Sequence, residues 1–421
     1  MALSYKQFSA QSYHTWPIYM LAFVRLFYVS IFERSLQNYL YFVVDIRESI
    51  LGFISSVGSI AYIFAPVLGQ KITKKLGIRN SLILSSVLTP LLTGAQILIP
   101  EPWFLIICRI LLGLSLGIFW PNCMNLLSKW QQVSSIERSK RNFKNFNFSW
   151  NFGFISGLLI GFVWAFSWSD YFAMFISWII SFLLIPISFF IEKESAEPIL
   201  LKITKFQTED PISHIDIKED MLINSNTPMI IYPILFSWIG IMFLATSKSV
   251  FVFGYPILLK AFESPSYLSY LIQCGLQIMQ LVGLTWINSM DIYDRKTASL
   301  ISMITIPLVA FLFVFLGNIW YISILTIISG LFLGLIHGTC MKIMLEYGTA
   351  KSSTKYSTIN EILIGIGFGL TPIIAGYSVE IYLYSIHVFI MIFGLAVLTL
   401  LIYLSRNVKR NLNFQVIPKK I

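Results

Sequence analysis

Several charged residues lie inside long apolar runs of this sequence, where an ionised side chain needs a partner. Glu33 and Arg34 are neighbours in the first run, and Arg109 lies in the fourth. A carboxylate and a guanidinium at one depth can form an ion pair, which a proton on the acid or a bound anion would open. An unpaired arginine in lipid costs at least about 2.5 kcal/mol. The pattern therefore predicts an intramembrane pair between Glu33 and Arg109.

Further polar residues of the other apolar runs are candidates to line the same cavity. Gln273, Gln277 and Gln280 are spaced i, i+4, i+7, so a helix places all three on one face. The imidazole of His337 can titrate near neutral pH or hydrogen-bond between helices. The remaining candidates are aromatic, amide and acidic residues: Trp120, Asn122, Asn151 and Glu361. Amides also join neighbouring helices, so a purely structural role stays open for them.

Three cations of the apolar runs have two interpretations each. Arg34 either competes with Arg109 for the Glu33 carboxylate or extends to the lipid headgroups. Arg25 and Lys248 either snorkel to the headgroups or face a cavity, where a cation favours an anionic solute. The sequence leaves both interpretations open for each of them.

The composition places the chain among integral membrane proteins. Hydrophobic residues make up 56% of the sequence and charged residues only 12%, which is outside the range of soluble globular domains. A helix needs about 20 apolar residues to cross a hydrocarbon core of about 30 Å, and we count about twelve such runs. The four cysteines lie inside these runs without disulfide or metal spacing, and no nucleophile motif or phosphate loop is present. We expect an all-α membrane protein with no catalytic residue, metal or cofactor.

The apolar runs divide into two sets of six. We place them at residues 16–44, 50–70, 81–99, 103–128, 146–167 and 171–191, then at 230–258, 266–288, 297–317, 319–343, 357–379 and 383–405. The longest polar segment, residues 192–228, separates the sets and is typical of a linker. The predicted domains are a six-helix bundle over 1–191, this cytoplasmic linker, a second bundle over 229–405 and a basic tail over 406–421.

Lysine and arginine collect in the loops on the side of both termini, which predicts cytoplasmic termini. The residues concerned are Lys71, Lys74, Lys75, Arg79, Lys129, Arg138, Lys140, Arg141, Lys144, Arg295, Lys296, Lys351 and Lys355, together with the tail. The net charge of +10 therefore reflects topology, and we expect no nucleic acid partner. The tail is expected to contact anionic lipid.

A segment of the fourth run returns in the tenth. The stretch "GLSLGIFWPNCM" at 113–124 matches "GLFLGLIHGTCM" at 330–341, with Trp120 answered by His337. Two parallel repeats of six spans around a midplane site are an architecture of secondary transporters. Glycines of the repeat, and glycines at small-xxx-small spacing in the fifth run, predict close helix packing: Gly113, Gly117, Gly330 and Gly334, and Gly153, Gly157 and Gly161.

These repeats resemble the major facilitator superfamily over roughly residues 15–405. In the helix "LIICRILLGLSLGIFWPN", residues 105–122, Arg109 fills the arginine position of the family's pattern. In the drug/proton antiporters of the superfamily that arginine is associated with proton coupling. The antiporter signature of the fifth helix is broken here, because Leu158 replaces its proline and Phe162 its last glycine.

Two loops extend the resemblance and are implied to act in conformational gating. In "GQKITKKLGIRN", residues 69–80, with Gly77 as the family's second glycine, Lys74 and Lys75 stand where the family has Asp and Arg, and Arg79 follows. In "NSMDIYDRKTAS", residues 288–299, the Asp294-Arg295 pair is retained. An ordinary solvated charged loop is the alternative interpretation.

The resemblance implies a transporter of two pseudo-symmetric six-helix bundles that moves a small solute by rocker-switch alternating access. The expected coupling ion is a proton, with Glu33 and Glu361 as titrating candidates. Drug or metabolite efflux is the first expectation, and uptake or facilitated diffusion of a polar or anionic metabolite is the alternative. A transporter-like sensor or scaffold without turnover is the alternative from another class. We expect a monomer in the cell membrane.

Overall fold

The computed structural model describes residues 14–132, 136–192, 233–290, 292–347 and 353–406. Within these ranges all regular secondary structure is helical, and twelve helices are long and apolar enough to cross a membrane. The predicted all-α class with twelve transmembrane helices is confirmed. The predicted linker from residue 193 onward and the basic tail after Arg406 lie outside the described residues.

The helices are numbered in chain order. The last turns of α1, at Tyr39–Val43, are π-helical, and α6 is interrupted by a turn at residues 182–183. We call the side where α1 begins and α12 ends the terminal side, and the opposite side the far side. The bounds are α1 Trp16–Val43, α2 Glu48–Leu76, α3 Ile78–Leu98, α4 Pro102–Gln132, α5 Ile136–Ser167, α6 Asp170–Phe189, α7 Ile234–Ala261, α8 Leu268–Trp286, α9 Ile292–Leu312, α10 Ile319–Tyr347, α11 Ser353–Ile381 and α12 Ser385–Ser405.

Some helices are longer than the apolar runs that predict them. α5 begins at Ile136, well before the predicted start at 146, and α10 ends at Tyr347 instead of 343. Hydropathy measures only the length of apolar sequence, whereas backbone hydrogen bonds continue into polar residues beyond it. α7 and α9 differ in the other direction as well: α7 begins at Ile234 instead of 230, and α9 ends at Leu312 instead of 317. Each helix therefore overlaps its predicted run, with ends that differ in both directions.

Glycines bring equivalent helices of the two halves into backbone contact. A Cβ on Gly113 of α4 would overlap the Gly58 carbonyl of α2, and a Cβ on Gly330 of α10 would overlap the Leu276 carbonyl of α8. The sequence repeat is thus a repeated packing arrangement. The other predicted packing glycines also face neighbouring helices: Gly117 lies on α2, Gly334 on α8, Gly153 and Gly157 on α1, and Gly161 on the Tyr270 ring of α8.

The two halves meet along two seams that run from the far side toward the middle of the bundle. α2 packs on α11, where Gly52 lies against the Pro372 carbonyl and the Gly376 backbone. α5 packs on α8, where Leu158 and Tyr270 belong to one buried apolar cluster. Because α2 corresponds to α8 and α5 to α11 in the repeat, the same pseudo-symmetry relates the two seams.

Candidate substrate and coupling site

A cavity of about 340 Å³ lies between the two halves. Its wall is formed by α1, α2, α4 and α5 of the N-terminal half and by α7, α8 and α11 of the C-terminal half. Four ionisable side chains line it: Glu33, Arg34, Arg109 and Lys248. The fold therefore brings charged residues from three separate apolar runs to one central space.

Glu33 and Arg109 form the ion pair that the sequence predicts. Arg109 Nη1 donates to Glu33 Oε2 at 2.5 Å and joins α4 to α1 within the N-terminal half. The Arg109 side chain is 8% exposed and the Glu33 side chain 40%, so the acid is the accessible member of the pair.

Arg34 takes neither of the positions considered from the sequence. Its Nε donates to Gln273 Oε1 at 2.7 Å and its Nη2 to the Val252 carbonyl at 3.1 Å. Its Nη1 donates to Gln37 Oε1 at 3.0 Å. Successive residues of a helix point about 100° apart, so when Glu33 faces α4, Arg34 turns toward α7 and α8. The guanidinium thus crosses to the other half and binds neutral acceptors, instead of sharing Glu33 or extending to headgroups.

The predicted glutamine stripe of α8 binds cations along its length. Gln277 and Gln280 both accept from Lys248 Nζ at 2.7 Å, and Gln273 accepts from Arg34. Lys248 lines the cavity, which favours its cavity interpretation over the headgroup interpretation. It was not among the predicted site residues. The sequence contained two signals that could have identified it: a lone lysine in the seventh apolar run, and a stripe of glutamines in the eighth run with no assigned partner.

Two predicted residues extend this network behind the stripe. Gln277 Nε2 donates to Asn151 Oδ1 of α5 at 3.3 Å, and Gln280 Nε2 lies 3.4 Å from His337 Nδ1 of α10. Neither Asn151 nor His337 is part of the cavity wall. They orient the glutamines that hold Lys248.

Two residues predicted from the repeat belong to packing within the N-terminal half. Trp120 packs edge-on against the rings of Phe119 and Phe146. The Asn122 side chain exchanges hydrogen bonds with the Thr73 hydroxyl of α2 at 2.9 and 3.1 Å. Both residues lie outside the wall of this cavity.

The other charged candidates, Glu361 and Arg25, are held inside the protein on the terminal side of the cavity. Tyr62 Oη donates to Glu361 Oε2 at 2.9 Å, which joins α2 to α11. Arg25 is fully buried, with its guanidinium 4.4 Å from the centre of the Phe119 ring and Nη1 bonded to Ser85 Oγ at 3.2 Å. Arg25 therefore neither snorkels nor lines the cavity, because α3 and α4 cover it.

The predicted gating residues lie at helix ends on the terminal side. Lys74 and Lys75 are in the last turn of α2, where cations stabilise the exposed carbonyls. Gly77 follows with a φ of 79°, a conformation that favours glycine. Arg79 Nη2 donates to a backbone carbonyl near the end of α6 at 2.9 Å. Asp294 is in the first turn of α9, where a carboxylate is favourable.

A polar cluster on the far side was not predicted from the sequence. Asp170, the first residue of α6, accepts hydrogen bonds from Asn38 at 3.0 Å, Ser266 at 2.6 Å and Tyr270 at 2.9 Å. The cluster joins α1 and α6 to the start of α8 in the other half. The sequence shows an acid at the edge of an apolar run, but it does not show that distant hydroxyls converge on it.

Among the described residues, no group of three His, Cys, Asp or Glu side chains could hold a metal, and all four cysteines are buried. A central cavity with charged side chains on its wall, between two pseudo-symmetric halves of six spans, is typical of the class of secondary membrane transporters.

The chain belongs to the Major Facilitator Superfamily, whose sequence profile matches residues 18–279 and 237–419. It is therefore a multi-pass membrane protein of a transporter family. A mutant of the nucleoside transporter NupG superposes with a TM-score of 0.67 at 14% identity, over 93% of this chain and 99% of that chain. NupG itself gives a TM-score of 0.65 at 16% identity, over 94% and 99%. At these identities the likeness shows the fold alone. No curated protein matches the sequence.

Proposed function

We propose that this protein moves a small polar solute across the membrane by rocker-switch alternating access, with protons as the coupling ion. The observation that carries the proposal is the Glu33–Arg109 pair on the wall of the cavity. Coupling to a proton gradient needs an acid that water can reach and whose protonation changes a contact between helices. Glu33 meets both requirements.

Protonation of Glu33 removes the charge that balances Arg109. The neutral acid leaves a buried guanidinium, a state that costs several kcal/mol unless α1 and α4 rearrange or another anion binds. The proton therefore changes the relative free energies of the two arrangements of the halves, which is what coupling requires.

The contacts between the halves support a state that is closed on the far side. Lys260 of α7 forms an ion pair with Asp45, which follows α1. The Ser49 amide of α2 donates to Glu380 of α11 at 3.0 Å. We assign this state to the part of the cycle in which solute exchanges with the terminal side.

We assign the terminal side to the cytoplasm and the protein to the plasma membrane, as a monomer. Lysine and arginine at helix ends support this orientation, because such residues collect on the cytoplasmic side of short loops. Lys74 and Lys75 end α2 on that side, and Arg295 and Lys296 lie at the start of α9. The basic tail would then meet anionic lipid of the inner leaflet.

The charged wall supports a polar solute over a purely apolar drug. Arg34 and Lys248 line the wall with only neutral acceptors among the described residues, so a polar or charged solute can supply interactions there that an apolar one cannot. Efflux of a metabolite in exchange for protons is the first candidate, and uptake together with protons would use the same acid. In exchange, the proton and the solute bind the protein in alternate states, whereas in uptake both are bound in the same state. A sensor without turnover would bind solute and show no flux.

The test is flux of a solute panel into proteoliposomes with and without a pH gradient. We compare the native protein with Glu33→Gln and Arg109→Ala. The matched control is Glu101→Gln, which makes the same change at an exposed residue before α4. Native and control proteins should show gradient-driven flux in one direction, and Glu33→Gln should lower it by about tenfold or more, the scale of a lost charged contact.

Size-exclusion profiles qualify each variant as folded. Flux that is indifferent both to the gradient and to Glu33→Gln would reduce the pair to a structural contact and reject proton coupling. Binding without flux for every solute would support the sensor instead.

A further inference from the structure

Two cations of the cavity have no carboxylate partner among the described residues. Arg34 is 3% exposed and donates to two glutamines and a backbone carbonyl. Lys248 donates to Gln277 and Gln280, and part of its surface faces the cavity. These amide and carbonyl oxygens satisfy the donors, but they carry no net charge. Both cations therefore have hydrogen-bond partners but no carboxylate in direct contact.

The acids nearest to these cations are already engaged. Glu33 binds Arg109, and Asp170 accepts its three hydrogen bonds in the far-side cluster. Among the ionisable residues of the cavity wall, three cations face one carboxylate, which leaves a net charge of +2 when all are ionised. A charge in such a cavity is weakly screened, so it attracts an anion more strongly than a surface charge does.

We propose that the transported solute is a small organic anion whose charged oxygens bind between Arg34 and Lys248. This inference rests on the proposed function, because it names the solute class of the same cavity. Gln273 and Gln277, which hold the two cations, are one turn apart on α8, a rise of about 6 Å. A carboxylate or phosphate group is therefore the appropriate size to take donors from both side chains.

The rest of the wall indicates what the anionic group is attached to. Phe154 lies beneath Lys248, with the ammonium 5.8 Å from the ring centre, and Phe253 and Phe368 line the same cavity. The volume of about 340 Å³ falls within the range of small-molecule sites, about 300–1,000 Å³. The cavity thus suits a solute with one anionic end and a flat or apolar body.

The two cations come from different halves of the molecule. Arg34 belongs to α1 and Lys248 to α7, so an anion held between them connects the halves through charge. A bound anion competes with the glutamines for the same N–H donors and supplies the charge that the amides lack. A neutral solute would replace those hydrogen bonds without balancing either cation, so the cavity discriminates against it.

The experiment compares two matched pairs of probes that share a body and differ in charge: benzoate with benzamide, and uridine monophosphate with uridine. Binding is measured as the rise in Tm of the detergent-solubilised full chain, without a pH gradient. The variants are Lys248→Gln, Lys248→Arg and the control Lys144→Gln, which removes the charge of an exposed lysine outside the cavity.

We expect at least one anion to raise the Tm of the native and control proteins and its neutral partner to leave it unchanged. Lys248→Gln should lower the affinity for that anion by about tenfold or more, because a charged hydrogen bond is lost, and Lys248→Arg should restore most of the affinity. Should Lys248→Gln fail to fold, Arg34→Gln tests the other cation in the same assay.

The anion site would be overturned if a neutral probe bound as well as its anionic partner. It would also be overturned if the affinity for the anion were unchanged in both Lys248→Gln and Arg34→Gln. Failure of both anions to bind the native protein would also overturn it. Anion flux that persists in Glu33→Gln without regard to the gradient would keep the anion site and reject proton coupling. Gradient-driven uridine flux indifferent to Lys248→Gln would keep proton coupling and reject the anion site.

Discussion

The N-terminal and C-terminal walls of the cavity share a packing plan, but only the N-terminal wall contains a carboxylate that pairs with one of its cations. In the N-terminal half, Arg109 is balanced by Glu33 at 2.5 Å. In the C-terminal half, Lys248 is held by glutamines alone among the described residues. Yet Gly113 and Gly330 make the same backbone contact in both halves. Packing and ligand chemistry are therefore separable in this fold: the repeat keeps the helix contacts, and each half carries its own charge.

The largest effect on stability should come from Glu33→Ala, which leaves Arg109 buried without a carboxylate. We expect a loss of about 3 kcal/mol in the free energy of unfolding. Arg109→Ala should cost only about 1 kcal/mol, because the remaining Glu33 is 40% exposed and can be hydrated. Denaturant unfolding in detergent measures both. The double variant Glu33→Ala, Arg109→Ala should be more stable than Glu33→Ala alone. If Arg109→Ala lost as much stability as Glu33→Ala or more, the buried arginine would not be the costly member of the pair.

Matched alanine substitutions test whether the packing is equivalent in the two halves. Gly113→Ala and Gly330→Ala should each cost about 2 kcal/mol, because the new Cβ would overlap a backbone carbonyl of the neighbouring helix. Gly317→Ala is the control, since nothing lies within 4 Å of its added Cβ. Thermal unfolding reports the three values. A loss confined to one half would show that the packing has diverged as the charges have.

Removal of the Asp170 carboxylate tests the contact between the halves on the far side. Asp170→Ala deletes three hydrogen-bond acceptor contacts, and we expect it to destabilise the closed arrangement by about 1.5 kcal/mol. A thiol at Ser55, which lines the cavity, should then react about tenfold faster with an impermeant reagent added from the far side.

The reporter for this labelling is Ser55→Cys in a chain whose native cysteines are replaced. Glu263→Ala alters an acid on the same side outside the cluster and should leave the rate unchanged. An equal rate in the Asp170→Ala chain would mean that the other far-side contacts, Lys260–Asp45, Ser49–Glu380 and the helix seams, keep that side closed without Asp170.

The smallest effect should come from His337→Gln. Its contact with Gln280 is long, at 3.4 Å, so we expect a change of about 0.5 kcal/mol or less, which is under about threefold in anion affinity. Titration of the most stabilising anion at several pH values measures it. If transport by this variant lost its dependence on pH, proton coupling would belong to the C-terminal half and not to the Glu33–Arg109 pair.

The Glu33–Arg109 pair could be predicted because helix rise alone places both residues at one depth in adjacent spans. The partners of Arg34 and Lys248 could not, because they depend on the register between α1, α7 and α8 across the two halves. Helix periodicity did place Gln273, Gln277 and Gln280 on one face. It gave no information on which neighbouring helix that face would meet.

The repeat between α4 and α10 was informative about packing but did not identify the lining of this cavity. Its divergent positions, Trp120 and His337, are candidates to line the cavity from the sequence, and both lie outside its wall in this structure. A change of residue type between repeats can reflect a different packing neighbour, as Phe146 is for Trp120. Only the coordinates distinguish the two cases.

The α2–α11 seam has a thermodynamic consequence for the transport cycle. At Gly52 and Gly376 the contact is between bare backbones, with no side chain interposed. Glycine has no rotamers, so forming this contact loses no side-chain entropy and separating it regains none. Formation of the contact at these glycines therefore carries no side-chain entropy cost, which suits a surface that the proposed cycle brings together for only part of the time.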